Sequence, residues 1–379
     1  PPLPPSVQTA ELEKSEEGRT LLQWQVSTPV QLLDELFESD EVKVHFLNRL
    51  TVLNIAPDQN GLGWICLFRI LLAEAPICVG GAGQLAVGLR SVFEANGGAI
   101  QTGLGARQIL MRGNRAVGVE LEDGTRLEAT KAVITNVEPK KSFLQMVGEE
   151  HLPAAFATRV KNYHSRGRSL FVLHLALSEP PRYRAAADNP PVDTAFSQEM
   201  FGGSIEEQVR GYHEIAMGTA PRKEMLQVTL PTLFDPSQAP AGKHAAVVWQ
   251  YAPYNVGSEG PEGWRNLRAE YASHVLDLWR SYAPNITDDK ILAMTIQDPT
   301  DTVRINDNFV NGVEVVGDLT PDQMGYFRPF ANWSSYRSPI DGLYMCGGFC
   351  HPGGGVHAGA GHNAATVIAE DFALNKWWG

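Results

Sequence analysis

Residues 343–366 read LYMCGGFCHPGGGVHAGAGHNAAT, and this stretch limits what the chain can fold into more than any other. Leu343–Cys346 is a short apolar run of strand type. Gly347 and Gly348 end it, and Pro352 with Gly353, Gly354 and Gly355 carries the chain round a turn with almost no side chains. From Val356 the pattern turns helical, with Ala360, Ala364, Val367 and Ile368 at three- and four-residue steps. A strand, a bare turn and a helix N-terminus together present unpaired N–H groups and a positive dipole end. Glycine leaves no Cβ between that backbone and a flat or anionic ligand. The pattern predicts that Gly347, Gly348, Pro352, Gly353, Gly354, Gly355 and Val356 meet a flavin ring and its pyrophosphate. Glycine-rich turns between strands and helices also occur as plain punctuation. A metal is the other reading, because Cys346, Cys350, His351, His357 and His362 lie close together. A helical ligand pair wants i, i+4 spacing, whereas His357 and His362 diverge around the helix, so no metal is expected.

The 379 residues allow two domains and a large core. Forty-three acidic against 31 basic residues, a net charge of -12, repel a phosphate backbone and exclude nucleic acid as a partner. The four cysteines, Cys66, Cys78, Cys346 and Cys350, do not make a disulfide framework and suit a reducing compartment. The expected location is cytoplasmic, or the mitochondrial matrix in a eukaryote. Trp64–Leu72, WICLFRILL, is too short and too charged to span a bilayer, which leaves surface contact with a membrane open.

In chain order, residues 1–10 read as a Pro-rich extended arm and Glu11–Leu50 as helices, with Thr28 and Pro29 as cap and first residue of one of them. Trp64–Ala73 is a buried helix or strand. Ile77–Leu89, with Gly81 and Gly83, is a second glycine-rich turn entering a helix that stops at Asn96-Gly97-Gly98. Strand signals follow at Ala99–Thr102, Ala106–Arg112, Ala116–Leu121, Arg126–Ala129 and Lys131–Asn136, with Asp123-Gly124 turning a hairpin. Short helices are expected at Ser142–Val147 and Pro153–Lys161. Strands are expected at Ser169–Leu177, Met225–Pro231 and Ala245–Tyr254, and an amphipathic helix at Pro261–Tyr282. The segment 179–198 reads as a polar loop, and Asp298–Val316 as mostly loop.

GGAGQLAVGL, the hairpin around DGT, KAVITN and GLYMCGGFCHPGGGV together resemble the phytoene desaturase-like branch of the flavin amine oxidase superfamily, and within it the pyridine nucleotide-disulfide oxidoreductase domain-containing protein 2 group. The likeness runs from about residue 32 to the end. It implies a mixed α/β (α+β) fold in which an FAD-binding Rossmann-type domain is interleaved with a substrate domain of sheet and helices. Residues 1–77 would be the helical part of the substrate domain, 78–138 an FAD-domain segment, 139–340 the substrate domain and 341–379 the C-terminal FAD-domain segment. Backbone of Arg107, Gln108 and Ile109 would lie near the adenosine end with Asn136 beside it, and Tyr326–Arg337 would line the substrate side. Such proteins open with a βαβ unit carrying G-x-G-x-x-G. No glycine cluster here, Gly80-Gly81-Ala82-Gly83 included, has that spacing with an acidic residue about 20 positions on, so the FAD domain is incomplete within these residues.

The resemblance implies an FAD-dependent desaturase or dehydrogenase that removes hydride from a C–H bond of an apolar or amphipathic small molecule. A separate chain or cleaved-off fragment bearing the Rossmann half would complete it, and an oligomer is expected. His351 is the candidate for proton traffic; Tyr336 and Arg337 are candidates for orienting substrate. The alternative is a non-catalytic scaffold or regulator that keeps the fold without flavin. A flavin amine oxidase proper fits less well, because no aromatic pair of the amine-caging kind precedes the C-terminal motif.

Overall fold

The computed structural model describes residues 1–51, 54–65, 77–166, 168–223, 225–376 and 378. The chain opens with α1 (Pro5–Leu12), α2 (Glu16–Val26), α3 (Pro29–Leu36) and α4 (Asp40–Thr51). Residues 1–10 are not the expected extended arm. Pro5 stands in the first turn of α1, where its missing N–H breaks no helical bond. Thr28 caps α3 as its sequence suggests: the hydroxyl accepts from Gln31 N–H at 3.0 Å and the Gln31 side chain accepts from Thr28 N–H at 2.9 Å. Leu32, Leu33, Leu47 and Leu50 close a small core with Ile55 and Leu62, and Val313, Val315 and Leu319 reach into it from far along the chain. Most of the expected segment Trp64–Ala73 lies outside the described residues.

Next come α5 (Gly83–Ala95), β1 (Ala106–Arg112), β2 (Arg115–Leu121), β3 (Arg126–Glu128) and β4 (Val133–Thr135). The expected strand at Ala99–Thr102 does not form; it has no partner strand among the described residues, and Ile100 is exposed. A helix at Lys140–Gly148 and α6 (Ala154–Asn162) lead to β5 (Ser169–Leu177), β6 (Ser197–Phe201), α7 (Ile205–Ala216), β7 (Met225–Thr229) and β8 (His244–Ala252). The chain ends with α8 (Trp264–Tyr282), β9 (Ile291–Gln297), α9 (Pro299–Ile305), β10 (Leu343–Met345) and α10 (Gly359–Asp371).

The described residues form three sheets. β1, β2 and β3 form an antiparallel meander, and β4 pairs in parallel with β10. The third sheet is antiparallel, in the order β6-β7-β8-β5-β9. Its inner face carries Phe171, Leu173, Leu175 and Val248, and α8 covers them with Trp264, Tyr271, Val275 and Trp279. A separate core joins Ile109, Val133, Met345, Phe349 and Val367 to Phe143, Phe156 and Val160. Residues 140–163, expected with the substrate domain, therefore pack with the β4–β10 unit.

Candidate functional site

The parallel ladder sets Val133 against Leu343, Ile134 against Tyr344 and Met345 against Thr135. Cys346 N–H extends it by donating to the Thr135 carbonyl at 2.9 Å. Both strands therefore end at one level, and Asn136 and Gly347 meet there. Gly347 has φ +91°, and a Cβ on it would lie 1.6 Å from Asn136 Oδ1. Gly354 is equally tight, since its Cβ would fall 2.5 Å from the Val315 carbonyl oxygen. The inner side of the turn thus rests on the protein itself. Gly353, at φ +121°, is likewise buried, against Leu319 and Arg328. The turn opens to solvent at Gly355, φ +137°, and at Val356, which is 89% exposed. The helix beyond begins at Gly359 rather than near Val356, because Ala358 turns the chain through φ +54° first.

Tyr336 and His351 lock the turn to the strand. The Tyr336 hydroxyl donates to the His351 carbonyl at 2.8 Å and accepts from Asn363 Nδ2 at 2.8 Å. Burial pushes that phenol up to about 12, so it stays neutral. Arg337 is forked onto Asp371 through Nε at 2.8 Å and Nη2 at 2.6 Å, and Tyr344 donates to the same carboxylate at 2.8 Å. Both residues, expected on the substrate side, thus have their polar atoms committed to the protein. His351 is half-buried, and its Nδ1 is buried without a hydrogen-bond partner among the described residues. Burial lowers its pKa, and the positive charge of Arg328 adds to the effect, so the ring is neutral near pH 7.

The other expected contacts sit elsewhere. In the turn before α5 the Gly80 N–H donates to Asp235 Oδ2 at 2.6 Å, and Gly81 faces the side chain of Gln238. An aspartate from the loop before β8 thus takes an N–H of this turn, while Gly83 has open space beside it. Arg107 pairs with the buried Glu120, which also holds Arg126 at 2.7 Å; Gln108 is exposed and Ile109 is in the core. β1 is an edge strand, so its outer backbone groups remain available to a ligand or a further strand. No cluster of metal ligands occurs among the described residues. His357 Nδ1 accepts from Gly359 N–H at 3.0 Å, and the His362 ring lies against Trp378.

Sequence reasoning does not single out Arg328 or Asp235. Their partners are largely backbone groups, which carry no residue signature. Asp235 is caught only by its own Pro-Ser turn, and Arg328 only as one of several charged residues in an aromatic stretch.

The fold recurs in solved structures. A putrescine oxidase variant superposes with a TM-score of 0.59 at 14% identity, over 97% of this chain and 72% of its own. An oxidoreductase from Methanosarcina mazei gives 0.55 at 18% identity, over 92% and 68%. The fold, mixed α and β, is that of the FAD-dependent oxidoreductases. In sequence the chain is 28% identical to a subunit of the limonene dehydrogenase of Castellaniella defragrans, over 96% of this chain and 68% of that protein. It is 29% identical to pyridine nucleotide-disulfide oxidoreductase domain-containing protein 2 of Mus musculus, over 90% and 60%. With a lycopene-forming phytoene desaturase of a Paracoccus strain it shares 28%, over 78% and 55%. No protein-family model matches it. The chain is a relative of the phytoene desaturase-like FAD-dependent oxidoreductases, and it spans between about half and two thirds of the length of these relatives.

Proposed function

We propose that residues 1–379 form the larger part of an FAD-dependent dehydrogenase or desaturase acting on an apolar or amphipathic small molecule. The observation that carries this reading is the bare turn at Gly347–Gly355, packed from behind by Asn136, Val315 and Arg328 and open at Pro352, Gly355 and Val356. The orphaned Nδ1 of His351 beside it is a polar group waiting for a partner. These residues fit a flavin. Gly347, Gly348, Pro352, Gly353, Gly354, Gly355 and Val356 would hold it, with Asn136 beside Gly347. When bound, FAD supplies the acceptor for a hydride leaving a C–H bond.

The chain's own groups do the rest. The turn presents backbone without side chains, so a flat ring can lie against it. The N-terminal end of α10 directs positive dipole toward the turn, where negative charge is favoured. Neutral His351 is placed to hold or pass a proton at Nδ1. The names of the relatives, a limonene dehydrogenase component and phytoene desaturases, support hydrocarbon substrates.

The FAD domain needs a dinucleotide-binding segment that lies outside residues 1–379, on the same polypeptide or on a second one. The exposed stripe Leu85, Leu89, Val92 and Phe93 on α5 supports such a cover. Gly88 shares that stripe with open space where a Cβ would stand, and a mid-helix glycine costs about 1 kcal/mol relative to alanine, which a closely approaching backbone would offset. Among the described residues no helix is long and apolar enough to cross a membrane.

The test is to purify the protein with its natural flanking sequence or partner, record its visible spectrum and identify the chromophore released by acid. FAD in about equimolar amount is expected. A colourless, folded preparation that takes up no added FAD would sink the reading and leave the scaffold alternative.

A further inference from the structure

The glycine turn is anchored from behind by one fully buried side chain. Arg328 is 0% exposed and donates to five backbone carbonyls. Nε and Nη2 reach Gly348 O at 3.0 and 2.6 Å, and Nη2 also reaches Val315 O at 3.0 Å and Val316 O at 2.8 Å. Nη1 reaches Asp318 O at 3.3 Å and Gln323 O at 3.0 Å. One planar fork thus joins the first half of the turn to the 315–323 loop. A Cβ on Gly353 would touch Arg328 Nε at 3.5 Å, which places the guanidinium against the second half as well.

No carboxylate accepts from this guanidinium, and it forms no ion pair among the described residues. The Asp318 side chain is turned to His164 Nδ1 at 2.8 Å and to the Arg166 N–H at 2.9 Å. Apart from the Asp318 carboxylate, which is engaged by His164 and Arg166, three titratable neighbours of Arg328 are shifted toward their neutral forms. Burial pushes the Tyr163 phenol up to about 12 and the Cys350 thiol well above its ordinary value, and it pushes His351 down. Carbonyl dipoles stabilise the cation without cancelling it. A fixed charge in a water-poor interior acts over a longer range than one at the surface.

We propose that Arg328 is the positioning residue of the cofactor turn, fixing the Gly347–Gly355 backbone and setting a positive potential behind it that favours the reduced, more negative form of the flavin. This rests on the flavin reading above. The rival explanation is that Arg328 merely satisfies buried carbonyls. A lysine separates the two, because it keeps the charge but offers three donors in place of five and no planar fork.

The experiment uses the protein with its flanking sequence or partner and compares wild type, Arg328→Lys and Arg328→Gln for FAD dissociation constant and two-electron midpoint potential. Arg328→Lys is expected to bind FAD about tenfold more weakly at an unchanged potential. Arg328→Gln is expected to lose a further tenfold in affinity for reduced over oxidised FAD, a drop of about 30 mV for a two-electron couple. Potentials equal across all three proteins overturn the proposal, as does an Arg328→Lys variant that binds FAD as tightly as wild type. If Arg328→Gln does not fold, the lysine variant decides by the same two readouts. Failure of both to fold assigns Arg328 to stability alone and also overturns it. A wild-type protein that takes up no FAD overturns the flavin reading itself, and this inference with it.

Discussion

The Tyr336 hydroxyl donates to the His351 carbonyl at 2.8 Å, tying the segment before β10 to the turn after it. Tyr336 holds φ +66°, a left-handed backbone that bulky residues rarely adopt, and its ring is fully buried. Removing the hydroxyl leaves the half-buried His351 carbonyl and Asn363 amide without this partner. Tyr336→Phe should destabilise the protein by about 1–3 kcal/mol, read as a lower midpoint in urea. Asn363→Ala in the same background should add less than it does alone. Simple additivity would mean the three groups do not act as a unit.

Gly347→Ala should be among the most damaging single changes. The added methyl meets Asn136 Oδ1 in a left-handed conformation, and about 2 kcal/mol or more should be lost. Asn136→Ala should recover part of that loss in the double variant, with a coupling of about 1 kcal/mol in a denaturation cycle. A coupling near zero would show that the two residues are not in contact.

Asp235 gives an acid-sensitive link between the glycine turn before α5 and the sheet-bearing half. The Ser237 hydroxyl, then the Gly80 N–H, hold its carboxyl at about 2, below the ordinary 3.8. A depressed folded value means that the stabilisation is present above pH 3.8 and disappears as pH falls through about 2. Asp235→Asn should flatten the acid limb of the stability curve in that window and speed amide hydrogen exchange at residues 78–84. Exchange there as slow as in wild type would count against the link.

His351 works in the opposite direction. Burial lowers its folded pKa below 6.5, so the unfolded chain binds the proton more readily. Stability should therefore fall as pH drops below about 6.5. His351→Gln should reduce that slope while leaving stability at pH 8 close to wild type. An unchanged slope would place the titration elsewhere.

On α5, Leu89→Asp should leave the melting temperature of residues 1–379 alone within about 1 °C, since no residue of this helix is buried. In the protein with its flanking sequence or partner the same change should be strongly destabilising. Equal, small effects in both contexts would show that nothing covers the stripe.

How much of this is legible in the sequence depends on how local the cause is. The glycine turn, the Thr28 cap, the Asp123-Gly124 hairpin and the aromatic stripe of α8 all announce themselves, because turn chemistry and helical period act over a few residues. β6 and β9 do not. They are the outer strands of the large sheet, and Leu292 and Met294 are exposed where a buried strand would alternate cleanly. The helix α1 is obscured by its prolines, which favour a helix start as readily as an extended arm. Of the site, the turn residues and Asn136 are readable from pattern and resemblance. The fork of Arg328 and the carboxylate of Asp235 are not, because the groups they grip become neighbours only after the chain has folded.

Pairing Val133 with Leu343 has a consequence for biosynthesis. The strand at 133–135 leaves the ribosome long before its neighbour at 343–345, and every residue of the large sheet is translated in between. The nascent chain must keep one edge of that ladder waiting until the final stretch emerges. A premature stop that removes only the tail therefore leaves a partner-less strand beside an otherwise finished sheet, and quality control would meet such a product as an aggregation-prone remnant rather than a shortened enzyme.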